Sequence, residues 1–412
     1  MKTKLTRAEK SWILYDVGNS AFTMLVATTI PILFKGLTES AGIDTVYASG
    51  LWSTVTAVAV LILALLSPVL GALADYAGMK KKMFVGALIV GLLGLAGLSV
   101  TGSWIAYLVF FVVARLGYSA CNVFYDAMLT DVTTDERMDS VSSHGYAWGY
   151  IGSCIPFIAG IVLIFTLPFG MTTVQATQAS YVITAVWWIA LTIPLLRNVK
   201  QTHGLADREG KLTDVFRRLG ETFRKLKQDK ALLFYILAYF FYIDGVYTII
   251  SLATTYGTEV GISSTQLILA LLLTQFVAFP SAIIVSRLAA KHGAIRMIRV
   301  SIIAYTIICL FGYQLDKAWE FWLLAVAVGL FQGGIQSLSR SQFGRMIPKD
   351  EANEYFGLFD VFGKGADFFG PLIMAASAFV LGSSSYGILA LVVLFIIGYI
   401  LLTKSEKYMN SK

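Results

Sequence analysis

The chain has 412 residues, 57% of them hydrophobic and 14% charged, with a formal net charge of +7 and a mean hydropathy of +0.72. Soluble domains carry about 25% charged residues, so the composition excludes an ordinary soluble enzyme or binding module and indicates a polytopic membrane protein. Cys121, Cys154 and Cys309 stand alone in apolar runs and His144, His203 and His292 fall in polar connections, so neither a disulfide framework nor a metal site is expected, and no cofactor.

The basic N-terminus, MKTKLTRAEKSW, runs into an apolar stretch with no small-residue cleavage site, which reads as a retained first helix. A hydropathy window of about 19 residues finds twelve spans, at 11–35, 47–74, 82–101, 104–129, 144–167, 179–196, 231–256, 265–290, 296–314, 319–343, 356–381 and 385–403. Each is near the length a bilayer core requires. Backbone facing lipid must be paired within its own segment, and these spans are too long and uniformly apolar for barrel strands. The expected fold is an all-α membrane protein with twelve transmembrane helices. It divides into an N-terminal six-helix bundle (1–196), a linker (197–230) and a C-terminal six-helix bundle (231–412).

Span one contains ILYDVGNSAFT (13–23), where Asp16, Asn19, Ser20 and Thr23 share one helical face. An aspartate at the bilayer centre costs about 2.5–3.5 kcal/mol on insertion scales, so a partner, water or a ligand must offset it. After span two, GALADYAGMKKK (71–82) sets Asp75 and Gly78 beside Lys80 and Lys81, a turn able to cap a neighbouring helix and pin a gate. Gly86, Gly91, Gly94 and Gly97 of span three read as packing residues. Span four carries Arg115 near the membrane centre, to be matched by Asp16, Asp126 or a solute carboxylate. Tyr146, Trp148 and Tyr150 of span five either line a pocket or anchor at the interface.

The linker contains an amphipathic helix in which Leu212, Val215, Phe216, Leu219, Phe223 and Leu226 recur at helical spacing. It joins the two bundles and is able to lie on the inner membrane surface. Span seven repeats the stripe of span one with Asp244, Tyr247, Thr248 and Ser251 at the same intervals, and SRLAAKHGAIRM (286–297) echoes the earlier turn with Ala290 in place of its aspartate. Span ten presents Gln332, Gln336, Ser339 and Arg340 as a ridge; Arg340, near the inner surface, faces solvent and phosphates or makes a gate contact. In span eleven Asp360, Lys364 and Asp367 lie on one face, read as a structural or gating ion pair with direct ligand binding as the alternative. Placing the N-terminus inside puts 28 of the 32 lysines and arginines on the cytoplasmic side. That skew sets both termini inside and explains the net charge without a nucleic acid partner.

Twelve spans with this loop after span two resemble the major facilitator superfamily, although Tyr76 and Met79 stand where its signature usually carries basic residues. YDVGNSAF (15–22), FYDAMLTD (124–131), HGYAWGYIG (144–152), YIDGVYTIIS (242–251) and the block from 333 to 371 resemble the vacuole-effluxer-like branch, in its compact prokaryotic form. The resemblance implies an alternating-access transporter in a bacterial cell membrane, and efflux of amino acids; the alternatives are a sugar, a drug or another small metabolite. No nucleophile–base or metal motif supports an enzyme, and a non-transporting receptor or scaffold is the rival class. The expected translocation residues are Asp16, Asn19, Ser20, Thr23, Arg115, Asp126, Tyr146, Asp244, Tyr247, Thr248, Ser251 and Gln336. The expected gate residues are Asp75, Gly78, Lys80, Lys81, Arg340, Asp360, Lys364 and Asp367. The expected partners are the solute, protons and the bilayer, around a monomer.

Overall fold

The computed structural model describes residues 4–206, 212–259, 261–381 and 385–411. The first bundle comprises α1 (Arg7–Ala27), α2 (Thr29–Ser40), α3 (Thr45–Ala74), α4 (Met79–Val100), α5 (Trp104–Ala127), the short α6 (Leu129–Val132), α7 (Met138–Thr166) and α8 (Thr173–Asn198). The linker helix α9 (Leu212–Gln228) follows, then α10 (Lys230–Glu259), α11 (Ser264–His292), α12 (Ala294–Gly312), α13 (Ala318–Met346), α14 (Ala352–Leu381) and α15 (Ser385–Asn410). Among the described residues eleven stretches are long and apolar enough to cross a bilayer, α1 with α2 counting as one. The 30-residue α14 supplies the twelfth.

The helices run past the apolar segments mainly at the end that carries the termini: α7 begins at Met138 and α15 continues to Asn410. Hydropathy marks only the hydrocarbon-crossing part, whereas these polar turns are held by caps and ion pairs. Thr6 and Glu9 form a reciprocal capping box at the start of α1, and Glu9 also pairs with Arg137 at 2.6 Å. Span one is broken at Thr28, three residues before Pro31, whose ring displaces the carbonyl of Ala27 from the helical ladder.

Buried apolar side chains form two large clusters, one drawn from residues between Trp12 and Val199. The other, Ala127 apart, is drawn from residues between Leu226 and Leu402. Glycines set the closest helix pairs. A Cβ on Gly94 would strike the backbone of Ala114 and one on Gly117 the backbone of Gly91, so α4 and α5 pack nearly backbone to backbone. Gly86, expected in the same role, has open space beside it. Between the bundles, Gly71 of α3 abuts the Asn353 carbonyl and Gly357 of α14 abuts Ser67 and Pro68.

Candidate functional site

At the centre lies Arg340 of α13, only 3% exposed. Its Nη1 donates to Asp126 Oδ1 of α5 at 2.9 Å, and its Nη2 lies 3.7 Å from Asp16 Oδ2 of α1. Nε donates to Ser142 Oγ at 3.0 Å and Nη2 to the Ser142 carbonyl at 3.1 Å. The guanidinium also sits 4.4 Å from the Tyr146 ring centre and 4.7 Å from that of Trp12. Stacking on aromatic faces and a fork of donors suit arginine and not lysine. The box is held by its own members: Trp12 stacks on Tyr125 at 4.3 Å, and the Tyr125 hydroxyl donates to Asp16 Oδ2 at 3.0 Å.

Arg340 is thus buried in a contact between the two bundles and is not a solvated surface arginine. Arg115, expected to neutralise Asp16 or Asp126, has neither within ion-pair reach; Arg340 takes that place from 324 residues beyond Asp16. Among the described residues Arg115 has no ion pair, and its buried Nε has no hydrogen-bond partner.

The repeated stripes carry matching hydrogen bonds. Ser20 Oγ donates to Asp16 Oδ1 at 3.4 Å, and Thr248 Oγ1 donates to Asp244 Oδ1 at 3.5 Å. Thr23 donates to the Ser20 carbonyl, and Ser251 to that of Thr248. A Cβ on Gly149 of α7 would lie 2.8 Å from Ser20 Oγ, and one on Gly370 of α14 would strike Thr248 Oγ1. Both halves therefore set a glycine against the Asp–hydroxyl pair. Asn19, by contrast, bonds Asn122 at 2.6 Å, whereas Tyr247 stands at its counterpart. Asp244 receives the Gly370 N–H at 2.9 Å, apart from the Arg340 cluster. Gln336 accepts from the Tyr150 hydroxyl at 3.1 Å. Thr248 and Gln332 line an otherwise largely apolar cavity of about 100 Å³ within the second bundle.

Polar joins between the bundles gather at the end that carries the termini. Asp75 accepts the Asn353 and Glu354 backbone N–H groups at 2.8 and 3.0 Å, capping α14 from the other bundle. Burial pushes its carboxyl up to about 7, against the hydrogen bonds from Asn353 that pull it down. Ser143 bonds Ser337, Arg345 pairs with Asp139 at 2.8 Å, Lys349 with Asp135 at 2.7 Å, and Ser67 donates to Asp360 at 2.6 Å. The side chains of Lys364 and Asp367 lie outside the described residues.

Gly78, at φ +74°, starts α4 in the left-handed region. Lys81 donates to the Leu196 carbonyl, and Lys80 forms a buried ion pair of 2.6 Å with Asp131. Asp131 also accepts the Thr202 and His203 N–H groups, fastening the start of the linker to this turn. Sequence reasoning missed Trp12, Tyr125, Asp131, Asp139 and Glu354 as members of these sets. Tyr125 and Asp131 belong to the FYDAMLTD block and Glu354 to the block from 333 to 371, the signals that were available.

The family described as vacuole effluxer Atg22 like matches residues 6–137 and 130–408. A Bacillus subtilis protein named as the uncharacterized MFS-type transporter YxiO is 41% identical, covering 98% of this chain and 95% of its own length. Autophagy-related protein 22-1 of Penicillium rubens is 27% identical over 57% of this chain; the match spans 44% of that fungal protein. Among solved structures, the human organic anion transporter MFSD10 aligns with a TM-score of 0.71 at 14% identity, over 96% of this chain and 99% of that one. A bacterial ferroportin homologue in an outward-facing state aligns at 0.70 and 16%, over 97% and 98%. Such low identities speak for the fold alone, and the fold is that of the major facilitator transporters. With its family match running from residue 6 to residue 408, the chain belongs to the vacuole effluxer Atg22-like family.

Proposed function

We propose that this transporter exports an amino-acid-like solute by alternating access, with residues 1–196 and 231–412 rocking about the linker. The observation that carries the reading is the charge count at Arg340: one guanidinium is shared by Asp16 and Asp126. The set keeps one negative charge in excess, which a solute ammonium or a proton would balance. Arg115, without an ion pair among the described residues, supplies the complementary cation for a solute carboxylate. The basic skew supports termini in the cytoplasm, and the joined end is then the cytoplasmic gate. Asp16 and Asp126 release Arg340 as that gate opens and exchange it for the solute or a proton.

The test is efflux of pooled amino acids from proteoliposomes, with and without a pH gradient. Asp126→Asn and Arg115→Gln are each expected to lower efflux by about tenfold to a hundredfold, the effect of losing a hydrogen bond to a charged group. Wild-type vesicles that retain every amino acid under both conditions would remove this solute class. Unchanged efflux in both variants would remove the charge-exchange mechanism. Accelerated efflux under the gradient, abolished by Asp126→Asn, would identify the proton as the coupling ion.

A further inference from the structure

The linker helix α9 has three dissimilar faces. Val215, Leu219, Thr222 and Leu226 are buried; Val215 and Leu219 pack on Ala72, beside Val69 and Leu73 in the last turns of α3. One flank is tied to the second bundle, Arg218 to Glu354 at 2.9 Å and Lys225 to Glu351 at 2.9 Å. The opposite flank presents Phe216, 63% exposed, and Phe223, 45% exposed. Arg224 and Lys227, also exposed, adjoin them. At 100° per residue, Phe216, Gly220, Phe223 and Lys227 fall within one 60° sector, with Arg224 next to it.

Height fixes what this flank meets. α9 packs on the final turns of an apolar helix long enough to cross a bilayer, on the side that carries the termini, and the thickness of the hydrocarbon core sets those turns close to the headgroups. Aromatic rings beside cations that have no ion pair among the described residues match an anionic interface: rings enter the acyl boundary while arginine and lysine meet phosphates. We propose that α9 is a lipid-reading brace, whose Phe216, Phe223, Arg224 and Lys227 flank binds anionic phospholipid headgroups of the adjoining leaflet. Its other two faces hold the gate shut, so lipid bound on the outer flank favours the state closed at the termini side. The inference concerns the regulation of the gate and does not depend on which solute is carried.

Hydrogen exchange of residues 212–228 in nanodiscs tests it, comparing phosphatidylcholine alone with discs containing about one-third phosphatidylglycerol. The native chain is expected to gain protection in the anionic discs. In the Arg224→Gln/Lys227→Gln variant the gain should fall by about 25-fold, two cations at about fivefold each. Phe216→Ser/Phe223→Ser should lower protection in both lipids. Exchange in α4 and α5 serves as the folding control, since neither helix touches the altered flank. Equal protection of the native chain in the two lipids would overturn the proposal, as would an undiminished gain in the charge variant. Free inorganic phosphate reproducing the gain in phosphatidylcholine discs would also overturn it, assigning the cations to a soluble anion.

Discussion

Arg340 shows how a single side chain can join two bundles. Its removal leaves Asp16 and Asp126 buried together without a cation, and breaking a buried pair in this way costs about 3–5 kcal/mol. Arg340→Gln should therefore lower the thermal unfolding temperature and abolish transport, while Arg340→Gln/Asp126→Asn recovers part of the stability and none of the transport. A double variant no more stable than the single one would show that the charges are not coupled. Asp75 makes a second prediction. Exposed, an aspartate titrates near 3.9, whereas here burial raises it to about 7, with Arg218 at 3.8 Å and Glu354 alongside. The closed end then binds one more proton over that interval. Its advantage is full below the lower value and lost as pH rises through the upper one. Exchange of the 352–356 amides, corrected for intrinsic rate, should accelerate between about pH 5 and pH 8, and Asp75→Asn should flatten the change.

Among elements, the α3–α14 seam brings the two bundles together at the end that carries the termini. Gly71 and Gly357 allow backbone approach there, and a methyl group on Gly71 would meet the Asn353 carbonyl. Gly71→Ala should wedge the seam and raise amide exchange at 352–358 by about tenfold or more, leaving α4 and α5 unchanged. Gly86→Ala, placed in open space, should be neutral or stabilise by about 0.5–1 kcal/mol. Unaltered exchange in Gly71→Ala would show that the seam yields freely. The α3–α14 contact also marks a limit of sequence reading. Gly71 was visible in the turn motif, but its partner lies 282 residues away, and no periodicity joins two helices from different bundles.

For the molecule as a whole, the number and order of spans were legible because each must present a long apolar surface to lipid. The paired stripes were legible because helical spacing puts Asp16 with Ser20, and Asp244 with Thr248, whatever packs around them. The partner of Asp16 was not. A charge inventory offered Arg115 as the central base, yet the chain brings Arg340 inward from what hydropathy marked as the membrane surface. Hydropathy assigns depth along one helix; it carries nothing about a contact between bundles that encloses an arginine in an aromatic box. The linker is similar: its amphipathicity was plain, but its division into a buried face, an ion-paired flank and an aromatic flank depends on α3 and on Glu351 and Glu354.

The Arg340 cluster also has an electrical consequence. The guanidinium belongs to the second bundle and both aspartates to the first, so the opening proposed above would part a positive charge from two negative ones across a fraction of the membrane field. One elementary charge crossing that field is worth about 2.3 kcal/mol per 100 mV, and even a fractional displacement makes the balance between the two orientations respond to voltage. A rapid voltage step across a bilayer containing the protein should draw a transient capacitive current with no solute present, and neutralising Arg340 should reshape it.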